Sequence, residues 1–130
     1  SEEYTEAYFT GIEMQVLDNI CHKDGKIRTH RAGDLYDMIA CKYETVKPAG
    51  EWNQVRIRIN NGHVEHWLNG HKVVEYQLWN DDWKNMVANS KFKDWAGFGA
   101  SQKGHIALQE HDDRVWYRNI KIKELKGEVN

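Results

Sequence analysis

Two Asn-Gly pairs, Asn61-Gly62 and Asn69-Gly70, constrain the fold of this chain more than any other feature. Asn-Gly supplies the two successive left-handed residues of a type I′ turn, and the runs beside these pairs alternate as strands do. Trp52–Asn60 places Val55, Ile57 and Ile59 on one face and Arg56 and Arg58 on the other. A two-residue turn at 61–62 then sets Ile59 opposite Val64, Val55 opposite Leu68, Arg58 opposite Glu65 and Arg56 opposite Trp67. Core pairs, an ion pair and a cation–aromatic pair all follow from that one register. The second Asn-Gly leads into a third strand carrying Val73, Val74 and Tyr76, whose weaker alternation suits a bulge. The expected unit is an antiparallel meander with Val55, Ile57 and Ile59 on its core face.

The flanking segments extend this picture. Thr10–Asn19 reads as a strand, with Ile12, Met14 and Val16 on one face and Glu13 and Gln15 on the other. Leu35–Tyr43 reads as another. Gly104–Leu125 reads as a strand pair around a polar turn at Asp112 and Asp113, with Gln109 and His111 opposite Ile106 and Leu108. Trp79, Trp83, Met86 and Val87 recur at helical spacing, so Leu78–Phe92 is expected to hold a short helix or irregular excursion capped by Asn80 or Asp81. The polar stretch Cys21–Arg31 has no periodicity and reads as a loop. Residues 1–130 are expected to form a single, mostly antiparallel β-sandwich domain.

Composition removes several functional classes. Eighteen basic and twenty acidic residues are mixed along the chain, leaving no basic stripe for a phosphate backbone, so no nucleic-acid partner is expected. No apolar run approaches membrane-spanning length. His63 and His66 project from opposite strand faces and make no zinc pair, and no HExxH helix exists. Ser101, Cys21 and Cys41 stand in no nucleophile motif. The two cysteines permit one disulfide or two buried free thiols.

Six motifs in order carry a family resemblance: Thr10–Asn19 (TGIEMQVLDN), Ala32–Asp37 (AGDLYD), Gly50–Asn53 (GEWN), Trp67–Gly70 (WLNG), Leu108–His111 (LQEH) and Arg118–Ile122 (RNIKI). Together they resemble the bacterial 3-keto-disaccharide hydrolase family, common in Bacteroidetes, across nearly the whole chain from about Tyr8. The resemblance implies an all-β, concanavalin A-like (lectin/glucanase) jelly roll. It implies cleavage of 3-keto-glycosides, either by hydrolysis or by β-elimination and rehydration through a 2-hydroxy-3-keto-glucal. It further implies export to the periplasm or cell surface. Only nine residues precede Thr10, where the family carries further strands, so the chain corresponds to the C-terminal portion of the family domain. Either the chain is a fragment, or the missing strands come from elsewhere, as from a partner chain, since an open sheet edge invites pairing.

A 3-keto sugar needs a base for the acidified proton beside the ketone, and an acid or electrostatic partner for the enolate and leaving group. Glu13 and His111 are the catalytic candidates. Gln15 and Gln109 share their faces as hydrogen-bonding groups, and Tyr36 can donate a proton or stack. The plainer readings are a solvated strand glutamate for Glu13 and a turn histidine for His111. Trp67 and Trp116 are candidate floors for a sugar, whereas Trp79 and Trp83 read as core or interface plugs. A rival enzyme reading takes Glu13 and Asp18 as a retaining glycosidase pair, which requires carboxylates about 5 Å apart; Gln15 in the middle position and the short Asp18 weigh against it. A third reading is a lectin-like module with no turnover. Asp18, Asn19, His22 and Asp24 form an oxygen-rich set able to hold a divalent cation, or simply a loop whose Asx side chains close turns.

Overall fold

A computed structural model describes residues 6–125. Its regular part is the meander: β1 (Val55–Asn60), β2 (His63–Leu68) and β3 (His71–Gln77) form one antiparallel sheet in the order β1-β2-β3. Every pairing expected between β1 and β2 is present, from Val55↔Leu68 to Ile59↔Val64. Both turns are type I′ in sign, with φ of 49° and 77° at Asn61 and Gly62 and 51° and 85° at Asn69 and Gly70. Gly62 has a second reason to be glycine, because a Cβ there would sit 2.9 Å from the Trp79 ring. The bulge falls in β3's pairing, between His66 and Trp67, and buries Val73 and Val74 together. On the outer face Arg56 lies 4.3 Å from the Trp67 ring centre, and Arg58 lies 3.9 Å from Glu65.

The inner face of β2 and β3 is the core floor. Val64, Leu68, Val74 and Tyr76 pack there against Leu35, Leu78, Trp83, Phe92 and Phe98. Asn80 caps α1 (Asp81–Ala88) by accepting from Trp83 N at 2.8 Å, which drives the Trp83 ring into a stack between Tyr76 and Phe98. His66 is the polar member of this floor. Its Nδ1 donates to Gly33 O at 3.0 Å, and its Nε2 accepts from the Tyr76 hydroxyl at 3.3 Å. Burial holds its pKa down at about 4, so the ring is neutral at pH 7.

Four expectations need correction. Val55, Ile57 and Ile59 do share the inner face with Val64, His66 and Leu68, yet each is about half exposed (49%, 50% and 49%). Beta1 is an edge strand, and the layer that covers β2 and β3 does not reach it among the described residues. Leu35–Tyr43 is not a strand: Leu35 and Ile39 exchange backbone hydrogen bonds across a tight turn with Asp37 at φ 64°. Gly104–Leu125 bends at Asp112 but builds no ladder, and Ile106, Leu108, Trp116, Ile120 and Ile122 remain exposed. An alternating run gains strand energy from an apolar layer beneath it, and none of the described residues supplies one here. Finally, Cys21 and Cys41 are unpaired, and Cys21 is exposed rather than buried.

Candidate active site

Thr10–Asn19 runs extended above the core and is pinned by strand-like hydrogen bonds to the 33–36 segment. Gln15 N donates to Asp34 O at 3.0 Å, Gly33 N to Gln15 O at 2.8 Å, and Tyr36 N to Glu13 O at 3.1 Å. Ile12 and Met14 thereby face the core, and Glu13 and Gln15 turn the other way. Gln109 inserts from the C-terminal segment and clasps this edge. Its Nε2 donates to a Glu13 carboxylate oxygen and, at 2.5 Å, to Gln15 Oε1, while its Oε1 accepts from Val16 N at 2.6 Å. Gln109 is itself steadied by the Tyr117 hydroxyl, which donates to its carbonyl at 2.7 Å. One amide therefore locks two segments 94 to 96 residues apart in sequence.

Burial raises the Glu13 pKa above the ordinary carboxylate value, and the charges of Lys91, His111 and His30 oppose that rise in decreasing order. A carboxyl that is partly desolvated, amide-bound and raised in pKa is suited to taking up and returning a proton. Beside it, His30 Nε2 lies 3.2 Å from Asp37 Oδ1, and the His30 ring is 4.4 Å from that of Tyr36. Asp37 Oδ2 also accepts from Lys91 N at 2.9 Å. Asp37 holds a left-handed backbone to do this, a conformation that costs energy in a non-glycine residue and tends to gather at functional sites. His111 meets the His22 ring edge-on at 5.8 Å.

Among the sequence candidates, Glu13, Gln15, Tyr36 and Gln109 thus come together, with His111 close enough for its charge to act on Glu13. Trp67 does not join them; it lies on the outer sheet face with Arg56 and Glu65. Trp116 is 69% exposed. The site also takes in His30, Asp37 and Lys91, to which no spacing in the sequence gives a role.

The loop set Asp18, Asn19, His22 and Asp24 is turned to protein partners. Asp18 Oδ1 accepts from Ile20 N and Cys21 N, and those bonds lower its pKa. Asn19 Oδ1 accepts from Ala32 N, and His22 Nδ1 from Asp24 N. Asp24 Oδ2 lies 3.7 Å from His30 Nδ1. Among the described residues, the metal-type side chains that do converge are His63, Glu65 and Glu75 on the outer sheet face. There the Lys72 ammonium already lies 2.8 Å from Glu75 and 3.5 Å from Glu65, so it serves as the cation of that cluster.

The 3-keto-alpha-glucoside-1,2-lyase-like domain family matches residues 1–123. The chain belongs to this family. A curated relative, the 3-keto-disaccharide hydrolase of Bacteroides thetaiotaomicron, is 39% identical over 131 aligned positions, covering 91% of this chain and 45% of the relative. A crystal structure from Parabacteroides distasonis, provisionally named a glycosyl hydrolase, superposes with a TM-score of 0.67 at 30% identity. That match covers 78% of this chain and 48% of the other. The chain thus spans about half the length of the family relatives it matches.

Proposed function

We propose that this chain contributes to the cleavage of 3-keto-glycosides, as part of a concanavalin A-like jelly-roll domain, with Glu13 as the base that takes the proton beside the ketone. The observation that carries this reading is the Glu13 carboxyl, raised in pKa by burial, bridged to Gln15 by the Gln109 amide and faced by His111 and Lys91. Loss of the C2 proton to Glu13 gives an enolate. Its collapse forms the C1=C2 bond and expels the C1 glycosidic oxygen, which takes a proton from His111. The products are the free alcohol and a 2-hydroxy-3-keto-glucal, to which water then adds at C1 with return of a proton at C2. Tyr36 orients the sugar, while the Gln15 and Gln109 amides, engaged with each other and with Glu13, hold the base in place.

The relative's name supports a carbohydrate substrate. The rival retaining-glycosidase pair is weakened by Asp18, whose carboxylate is engaged by two backbone N–H groups of its own turn. On this proposal the protein works in the periplasm or at the cell surface, which cell fractionation would check. The decisive experiment compares a 3-keto-glucoside with the unoxidised glucoside, following enone absorbance and released alcohol, for wild type and Glu13→Gln. Turnover of the keto substrate alone, reduced about 100-fold or more by Glu13→Gln with binding retained, is expected. Turnover unaffected by Glu13→Gln refutes the assignment, and binding without turnover in the wild type leaves the lectin-like module.

A further inference from the structure

A lysine the sequence motifs do not include stands over the ring of Tyr36, whose backbone N–H is bonded to the carbonyl of Glu13. Lys91 follows α1, and its position is fixed from two sides. Its backbone N–H donates to Asp37 Oδ2 at 2.9 Å, and the other oxygen of Asp37 lies 3.2 Å from His30. Its ammonium lies 4.0 Å from the Tyr36 ring centre and 5.2 Å from that of Phe92, so the side chain is laid across two aromatic faces. No carboxylate pairs with it among the described residues, although its charge is the largest of those favouring ionised Glu13. Lys91 is exposed, and it rests its cation on the Tyr36 and Phe92 rings with its donors available to an incoming oxygen.

We infer that Lys91 binds the C3 ketone oxygen of the substrate and holds the negative charge that develops there as Glu13 removes the C2 proton. This inference rests on the function proposed above. The C2–H bond breaks with its electron pair moving into C2=C3 and the carbonyl pair moving onto O3. The proton goes to Glu13, and O3, now an enolate oxygen, is held by the ammonium without forming a covalent bond. Electrostatic stabilisation is worth most where charge appears only in the transition state, so Lys91 should act on kcat more than on KM. Tyr36 then serves as the platform that keeps the ammonium from swinging onto Glu13 itself.

The test measures two things in wild type, Lys91→Met and Lys91→Arg. The first is exchange of the C2 proton of a 3-keto-glucoside into deuterated water, followed by proton NMR, alongside full turnover. Lys91→Met is expected to slow both by about 100-fold with KM changed far less, and Lys91→Arg to recover a large part of the loss. The second is the acid limb of the pH–rate profile. His30 and His111 also face Glu13, so removing Lys91 should move that limb to higher pH without abolishing it. A role confined to packing against Tyr36 would leave exchange and turnover in Lys91→Met close to wild type once the shift of the limb is allowed for, and would not distinguish Arg from Met. If the wild type exchanges and turns over the keto substrate while Lys91→Met matches it, the lysine assignment falls and the keto-glycoside reading stands. If the wild type neither exchanges nor turns over the substrate, both fall together.

Discussion

His66 offers the sharpest test of how this fold is held together. The imidazole is 1% exposed and has both nitrogens bonded, to Gly33 O and to the Tyr76 hydroxyl. Charging it would place a cation in the core and remove the lone pair that accepts from Tyr76. Its pKa is therefore depressed from 6.5 to about 4. Between these values the unfolded chain binds a proton that the folded chain refuses. Stability is full above pH 6.5 and is lost as pH falls towards 4. At about 1.4 kcal/mol per pH unit, the gap amounts to about 3 kcal/mol. Glu13 and Asp34 act in the opposite sense, because burial raises both. Their contribution is present at low pH and lost as pH rises through their folded values, so the wild-type curve alone mixes the two signs.

His66→Phe separates them. The ring volume is nearly kept, the titration is removed, and Glu13 and Asp34 are unchanged. At pH 8 the variant should be less stable by about 1–3 kcal/mol, the cost of leaving Gly33 O and the Tyr76 hydroxyl unpaired. As pH falls from 6.5 to 4 that deficit should shrink by about 3 kcal/mol, bringing the variant level with the wild type or above it. Urea unfolding read by tryptophan fluorescence measures this directly, since Trp83 stacks on Tyr76 at 5.7 Å and reports on the same pocket. A deficit that stays constant from pH 8 to pH 4 would refute the assignment of His66 as a buried neutral ring.

Two further outcomes follow from single contacts. Gly62→Ala and Gly70→Ala each force a left-handed alanine, costing about 1–2 kcal/mol, but only Gly62→Ala also drives a Cβ into Trp79; its midpoint in urea should therefore fall further than that of Gly70→Ala. Gln109→Ala removes the clasp between the C-terminal segment and Glu13, so hydrogen exchange at Val16 N should accelerate and the Gly104–Leu125 segment should become protease-sensitive, while the β1–β3 amides keep their protection.

The meander was legible because its information is local. Asn-Gly turns set a register of period two, and each residue's partner lies within a few positions of a known turn. The helix was legible for the same reason, through Asn80 and the spacing of Trp83 and Val87. Alternation failed where it was asked to predict burial. Val55, Ile57 and Ile59 have the right register and face, yet their exposure depends on whether another layer reaches the edge strand. The C-terminal run fails as a strand on the same ground. At the site, the Glu13 and Gln109 faces could be read from alternation. His30, Asp37 and Lys91 are brought in by turns whose geometry depends on long-range bonds, and no spacing rule places them.

Glu13 and His66 titrate with opposite effects on the fold, which gives loss of activity and loss of stability in acid separate causes. Protonating Glu13 removes the proposed base but relieves a desolvated charge, so it favours the folded state. Protonating His66 leaves the base untouched but opposes folding. The two groups are joined through a short run of bonds, from the His66 ring to Gly33, from Gly33 N to Gln15 O, and from the Gln15 side chain to the amide that holds Glu13. If the site only needs that run to persist, His66→Phe should keep the acid limb of kcat/KM set by Glu13 while losing the acid sensitivity of its urea midpoint. Parallel pH profiles of activity and of stability, measured on the same two proteins, decide the matter. An acid limb that moves with the stability curve would mean that local unfolding, rather than protonation of Glu13, switches the site off.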